Sequence, residues 1–99
     1  MTFPVIFHAL AERELNDAAA YYYAQERPGL GEAFLAEVER VLGLLSEKPL
    51  AGTAVREDIR QWRLRRFPYA IIYRPREDHV RILALAAHKR RPTYWHGRS

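Results

Sequence analysis

Cysteine is absent from the chain, which excludes disulfides and thiolate metal sites and permits an intracellular, cytoplasmic location. Long apolar runs are missing as well. The opening Met1-Thr2-Phe3-Pro4-Val5 has no basic region followed by an apolar core, so neither a signal peptide nor a membrane span is expected. The five glycines are scattered and make no phosphate-cradling loop or nucleotide fingerprint, and no Ser/His/Asp arrangement occurs. His8, His79 and His96 lack the spacing of metal ligands, so no metal or other cofactor is expected. Internal repeats and low-complexity tracts are also lacking.

What is present suits one small globular unit. Ninety-nine residues are enough for a single modest core, and a single domain over 1–99 is expected. Apolar residues make up 48% and aromatics 12%, which argues against disorder. The net charge of +4 conceals an asymmetry. Residues 1–55 carry four basic and eight acidic side chains, a net of −4, whereas residues 56–99 carry twelve and four, a net of +8. A basic C-terminal half points to an anionic partner, either nucleic acid or an acidic protein segment.

The stretch Ile59–Tyr73 organises the rest. Trp62 and Leu64 alternate with Gln61, Arg63 and Arg65, the period-2 mark of a strand with one buried and one charged face. Phe67-Pro68 interrupts it, because proline has no N–H for a ladder. Tyr69–Tyr73 is aromatic and β-branched and too short for a helix, so it reads as a strand buried on both sides.

Around this hairpin the remaining elements follow in order. Phe3–Phe7 reads as a first strand. A helix is expected from Ala9 to about Gln25, burying Ala11, Leu15, Ala18, Ala19 and Tyr22. Arg27-Pro28-Gly29-Leu30-Gly31 makes a tight corner. A second helix, Glu32–Glu47, carries the stripe Phe34, Val38, Val41 and Leu45, and so short a connection makes the two helices an antiparallel hairpin. Leu50–Asp58 reads as a loop. Val80–Ala87 is an apolar strand, and His88–Ser99 a basic, aromatic tail. The expected fold is α+β: an N-terminal strand, a helix hairpin, then a three-stranded antiparallel meander, with the helices covering one sheet face and Arg63 and Arg65 on the other.

With these elements in place, Arg-Phe-Pro-Tyr-x-Ile-x-Tyr (66–73), the strand Ile82–Ala87 and His-Lys-Arg-Arg-Pro-Thr-Tyr-Trp (88–95) resemble the RelE/ParE superfamily of bacterial toxins. The likeness spans nearly the whole chain, including Tyr22-Tyr23 and the Gly29-Leu30-Gly31-x-x-Phe34 corner. It implies a β-α-α-β-β-β toxin of a type II toxin–antitoxin module, a plasmid stabilisation protein held inactive by a cognate antitoxin. Two activities occur in the superfamily: cleavage of messenger RNA on the ribosome, as in RelE-like members, and inhibition of DNA gyrase by binding, as in ParE-like members.

Ribonuclease chemistry needs a base, an acid and cations to stabilise charge developing on a phosphate. Arg63, Arg65, Arg81, His88, Arg91 and Tyr94 are the candidates: His88 as base or acid, Tyr94 as proton donor or stacking platform, and the arginines as phosphate clamps. Potent RelE-type ribonucleases place lysines or an acid before and within the first hairpin strand. Leu50–Gln61 holds no lysine, only Arg56, Glu57, Asp58 and Arg60. The ending Tyr94-Trp95 follows the ParE-like pattern, which favours a binding inhibitor over an enzyme, with a non-toxic antitoxin-binding member as a further alternative. Trp62 is assigned to the core. Trp95 either anchors the tail on the sheet or marks a partner-facing surface, and Tyr21 and Tyr23 are left for an interface.

Overall fold

The computed structural model describes residues 2–99. Strand β1 is Val5–Phe7, helix α1 Ala9–Tyr23 and helix α2 Leu30–Glu47; strands β2 (Thr53–Arg56), β3 (Ile59–Arg63), β4 (Tyr69–Pro75) and β5 (Val80–Ala87) complete the chain. The five strands form one sheet in the order β1-β5-β4-β3-β2. β2 to β5 are antiparallel neighbours, while β1 lies parallel to β5, Val5 opposite Val80. The expected α+β order is present, with one correction. The segment read as a loop, Leu50–Asp58, contains β2, so the meander has four strands rather than three. β2 is an edge strand exposed along its whole length, with an irregular register between Ala54 and Arg56. A strand that buries neither face leaves no alternation to read.

Helix α1 starts where His8 Nδ1 accepts the Leu10 N–H at 3.0 Å, a cap that satisfies one of the free amides of the first turn. It ends at Tyr23, slightly before the expected Gln25, because Pro28 and Gly29 follow and Gly29 takes the left-handed φ of 77° that begins α2. Gly31 is needed for closeness: a Cβ there would collide with the Tyr23 ring, which lies over it.

The α2 stripe Phe34, Val38, Val41 and Leu45 is buried as expected. It meets Ala11 and Ala18 of α1 and Ile71, Tyr73, Val80, Ile82 and Leu85 of the sheet. At one end Tyr22, Phe34, Phe67 and Tyr69 cluster with ring centroids 4.9–6.3 Å apart, mostly edge-on. Trp62 is half-buried on this side. Tyr73, fully buried, sits at the opposite boundary of the core; its hydroxyl accepts from Gly52 N–H at 2.8 Å and donates to the Pro49 carbonyl at 2.7 Å.

The sequence predicts that the other sheet face is open; the structure covers part of it. Trp95, 2% exposed, packs on Ile59, Ile72, Leu83 and Ala84 in a second, smaller core. The aromatic ending therefore anchors the tail on the sheet. Beside Trp95 this face stays accessible at the Arg63 and His88 end of the strands.

Candidate functional site

Strand register assembles the site. Arg63 at the end of β3 stands opposite Ala70 of β4, and Ala70 stands opposite Ala86 of β5. Two alanines beside an arginine leave a shallow floor where larger side chains would fill the face. Past β5 the chain turns back, its path held by His88 N–H donating to Pro68 O and Arg90 N–H donating to Ala87 O, each at 3.0 Å. The result is a depression of about 280 Å³. Ala70, Ile72 and Ala86 form its floor, Arg63, His88, Arg90 and Arg91 its rim, and Trp95 closes one side.

No acidic side chain lines this depression, and among the described residues none of Arg63, Arg90 and Arg91 forms an ion pair. All four rim residues are exposed. Unpaired guanidinium groups around a concave floor favour an anionic group, because a planar fork can hold a carboxylate or phosphate with two parallel hydrogen bonds. Among the described residues no three His, Asp or Glu side chains come together as a metal would require.

The six residues singled out in the sequence separate into three groups. Arg63, His88 and Arg91 share the depression. Arg65 lies just beyond β3, exposed, on a second groove that it shares with Arg63. Its backbone N–H donates to Glu37 Oε2 at 2.7 Å, and Glu37 also accepts twice from Arg40 at 2.8 and 2.9 Å. Those bonds, the Arg40 pair first, hold the Glu37 carboxyl below its ordinary pKa despite partial burial. Arg65 is thus placed by α2 as well as by the hairpin.

Arg81 and Tyr94 stand apart. Arg81 is seven residues from His88 along β5, roughly 23 Å at about 3.3 Å per residue. Its guanidinium donates to Phe7 O at 3.2 Å and to Ser99 O at 3.3 Å, ties that join β1 and the C-terminus. Tyr94 turns to the α1 side, where its hydroxyl donates to Leu85 O at 3.3 Å. Arg90 stacks over its ring at 3.9 Å from the centroid. Burial first, then the neighbouring Glu14, pushes the phenol well above its usual pKa, which disfavours its giving up a proton near neutrality. Arg90 and the alanine floor escaped the sequence reading. The basic run His88–Arg91 held the signal for Arg90, whereas the alanines matter only once three strands are aligned.

The sequence model described as the ParE toxin of the type II toxin–antitoxin system ParDE matches residues 5–92. A chain of the chromosomal ParDE toxin–antitoxin system from P. aeruginosa superposes with a TM-score of 0.72 at 15% identity, covering 87% of this chain and 96% of its own; at that identity the likeness is one of fold. A chain of the RelBE2 toxin–antitoxin complex from Mycobacterium tuberculosis gives a TM-score of 0.60 at 26% identity, with 88% and 99% covered. No curated protein matches the chain significantly in sequence. The family match over most of its length, on a fold shared with both systems, places the chain in the ParE toxin family of type II toxin–antitoxin systems, within the ParE/RelE superfamily.

Proposed function

We propose that this toxin is a single-domain, ParE-like inhibitor that acts by binding DNA gyrase and is neutralised by a cognate antitoxin encoded with it. The observation that carries the reading is the composition of the depression: four exposed cationic or imidazole groups with no acid among them. Such a site is complementary to carboxylates on a protein surface. It is poorly furnished for acid–base catalysis, because Tyr94, the candidate proton donor, has its hydroxyl committed to Leu85 and its ring under Arg90. The absence of lysine from Leu50–Gln61 supports the same choice. The two structures named above come from toxin–antitoxin systems, which supports an antitoxin as the resident partner.

Purified toxin added to gyrase and relaxed plasmid is expected to stop supercoiling. The double variant Arg63→Ala/Arg91→Ala, which alters only exposed side chains, is expected to lose most of that effect. Full supercoiling at large toxin excess removes gyrase as the target. One observation favours a second reading, ribosome-dependent cleavage of messenger RNA: Arg63, His88 and Arg91 do converge on one depression. New 5′ ends in translated message, abolished by His88→Ala, would establish that reading instead.

A further inference from the structure

The turn after β3 and the turn after β5 meet at one end of the sheet. Pro68 O accepts the His88 N–H at 3.0 Å, and Tyr69 stands opposite Ala87 in the ladder between them. Arg65 and Arg66 project from one turn and Lys89 from the other, all three exposed. None of them lines the depression. Among the described residues none forms an ion pair, whereas Arg40, Arg74, Arg76 and Arg98, in other segments, all do. Two carboxylates border the corner without neutralising it. Glu37 is taken by Arg40 and by the Arg65 N–H, and Asp17 stands across a groove from Lys89, on α1.

The first of these turns is firmly held and locally strained. Leu64 N–H donates to Tyr69 O at 2.9 Å and Tyr69 N–H to Phe67 O at 2.8 Å. Arg66 takes a left-handed φ of 71°, a conformation that glycine adopts freely and that a Cβ disfavours. A position that glycine would fill more easily carries a charge instead, which points to a task for its side chain. Protein partners are gripped through aromatic or aliphatic anchors, and single-stranded nucleic acid through exposed stacking rings. The two turns offer neither: Phe67 is buried, and the exposed Tyr21, Tyr23 and Val55 belong to other elements. Unpaired cations without an anchor match the phosphate backbone of a duplex.

We propose that Arg65, Arg66 and Lys89 hold the phosphate backbone of duplex DNA without reading its sequence. The row lies outside the depression, so one toxin can engage a protein through Arg63 and Arg91 and a DNA backbone through the corner beside them. A gyrase molecule that already holds DNA then offers both surfaces, and it is favoured over the free enzyme. The choice of duplex DNA as the polyanion rests on the gyrase reading. The contact itself belongs to the toxin alone and is measured without gyrase.

The test titrates the full chain into a fluorescein-labelled duplex of about 20 base pairs and follows anisotropy between about 50 and 200 mM KCl. Three neutralised phosphates, at about 0.9 each, give a plot of log affinity against log salt with a slope of magnitude about 2.7 or more. Arg65→Ala/Lys89→Ala is expected to lower that magnitude by about 1.8 and Arg66→Gly by about 0.9, the latter with no loss of Tm because glycine suits the left-handed turn. Arg13→Ala/Arg27→Ala removes the same charge from exposed positions on α1 and before α2, and is expected to leave the slope nearly unchanged. Single-stranded RNA of equal length is expected to bind more weakly than the duplex. No binding of the duplex, an unchanged slope in Arg65→Ala/Lys89→Ala, an equal effect of Arg13→Ala/Arg27→Ala, or tighter binding of the RNA overturns the proposal. Loss of supercoiling inhibition is scored in a separate assay, so the gyrase reading and this one fail separately.

Discussion

Replacing Tyr73 by phenylalanine removes a single buried oxygen and, with it, the tie that shapes the loop between α2 and β2. The ring stays, so hydrophobic burial is nearly unchanged and polar satisfaction alone is tested. Two backbone groups lose their partner: Gly52 N–H, a buried donor, and Pro49 O, which is partly accessible. An orphaned buried amide costs about 1–3 kcal/mol, and a carbonyl that water can reach costs less, so the loss is about 2–4 kcal/mol. Arg60 Nη1 still holds Gly52 O at 2.7 Å, which keeps the loop close to its place. Against a total stability of roughly 5–15 kcal/mol for a domain this size, that is a large fraction. Urea unfolding should show a lower midpoint with an unchanged slope, and Tm should fall by at least about 8 °C at roughly 4–8 °C per kcal/mol. A loss below about 0.5 kcal/mol would refute the claim that this hydroxyl is what fixes the loop.

Other outcomes follow from the same structure. Trp95→Ala opens a cavity beneath the tail and should cost about 3–5 kcal/mol, with limited proteolysis then cutting beyond His88. Gly31→Ala forces the Tyr23 ring off α2 and should lower Tm, whereas Gly43→Ala, whose Cβ would meet nothing, should raise helix stability by roughly 0.5–1 kcal/mol. Glu37→Gln weakens the charge-assisted bonds to Arg40 and to Arg65 N–H and should cost about 1–2 kcal/mol near pH 7. Because the folded carboxyl has a lowered pKa, its contribution is present above the unfolded value near 4.5 and lost as pH falls through the folded one. The gap between wild type and Glu37→Gln should therefore close under acid in pH-dependent unfolding. Tyr22, Tyr73 and Tyr94 all have raised pKa values, chiefly from burial. Their contribution is present below about pH 10 and lost as pH rises through the folded values, so alkaline unfolding should be steep.

Local pattern carried much of this fold. The α2 stripe and the apolar run Val80–Ala87 are legible because burial leaves a period that sequence records directly. β2 is silent because an exposed edge strand buries nothing. The parallel seating of β1 beside β5 lies outside any local signal, since strands so far apart in the chain choose neighbours by global packing. The candidate site divides in the same way. Arg63, His88 and Arg91 meet because the hairpin and the following strand share one end of the sheet, an arrangement that short turns impose. Arg81 shares their chemistry but not their place, because its strand position sends it to the far end. Trp95 finds its place on the sheet only through residues of three different strands, Ile59, Ile72, Leu83 and Ala84, that share one face.

What is proposed for the cationic depression is binding and disabling of gyrase, with no cut made in messenger RNA. Its most direct measurement follows plasmid topology and messenger 5′ ends in the same culture after induction of the toxin. The account predicts growth arrest with relaxed plasmid and unchanged 5′ ends, reversed by Arg63→Ala/Arg91→Ala. Unchanged supercoiling together with new 5′ ends inside translated messages would contradict it.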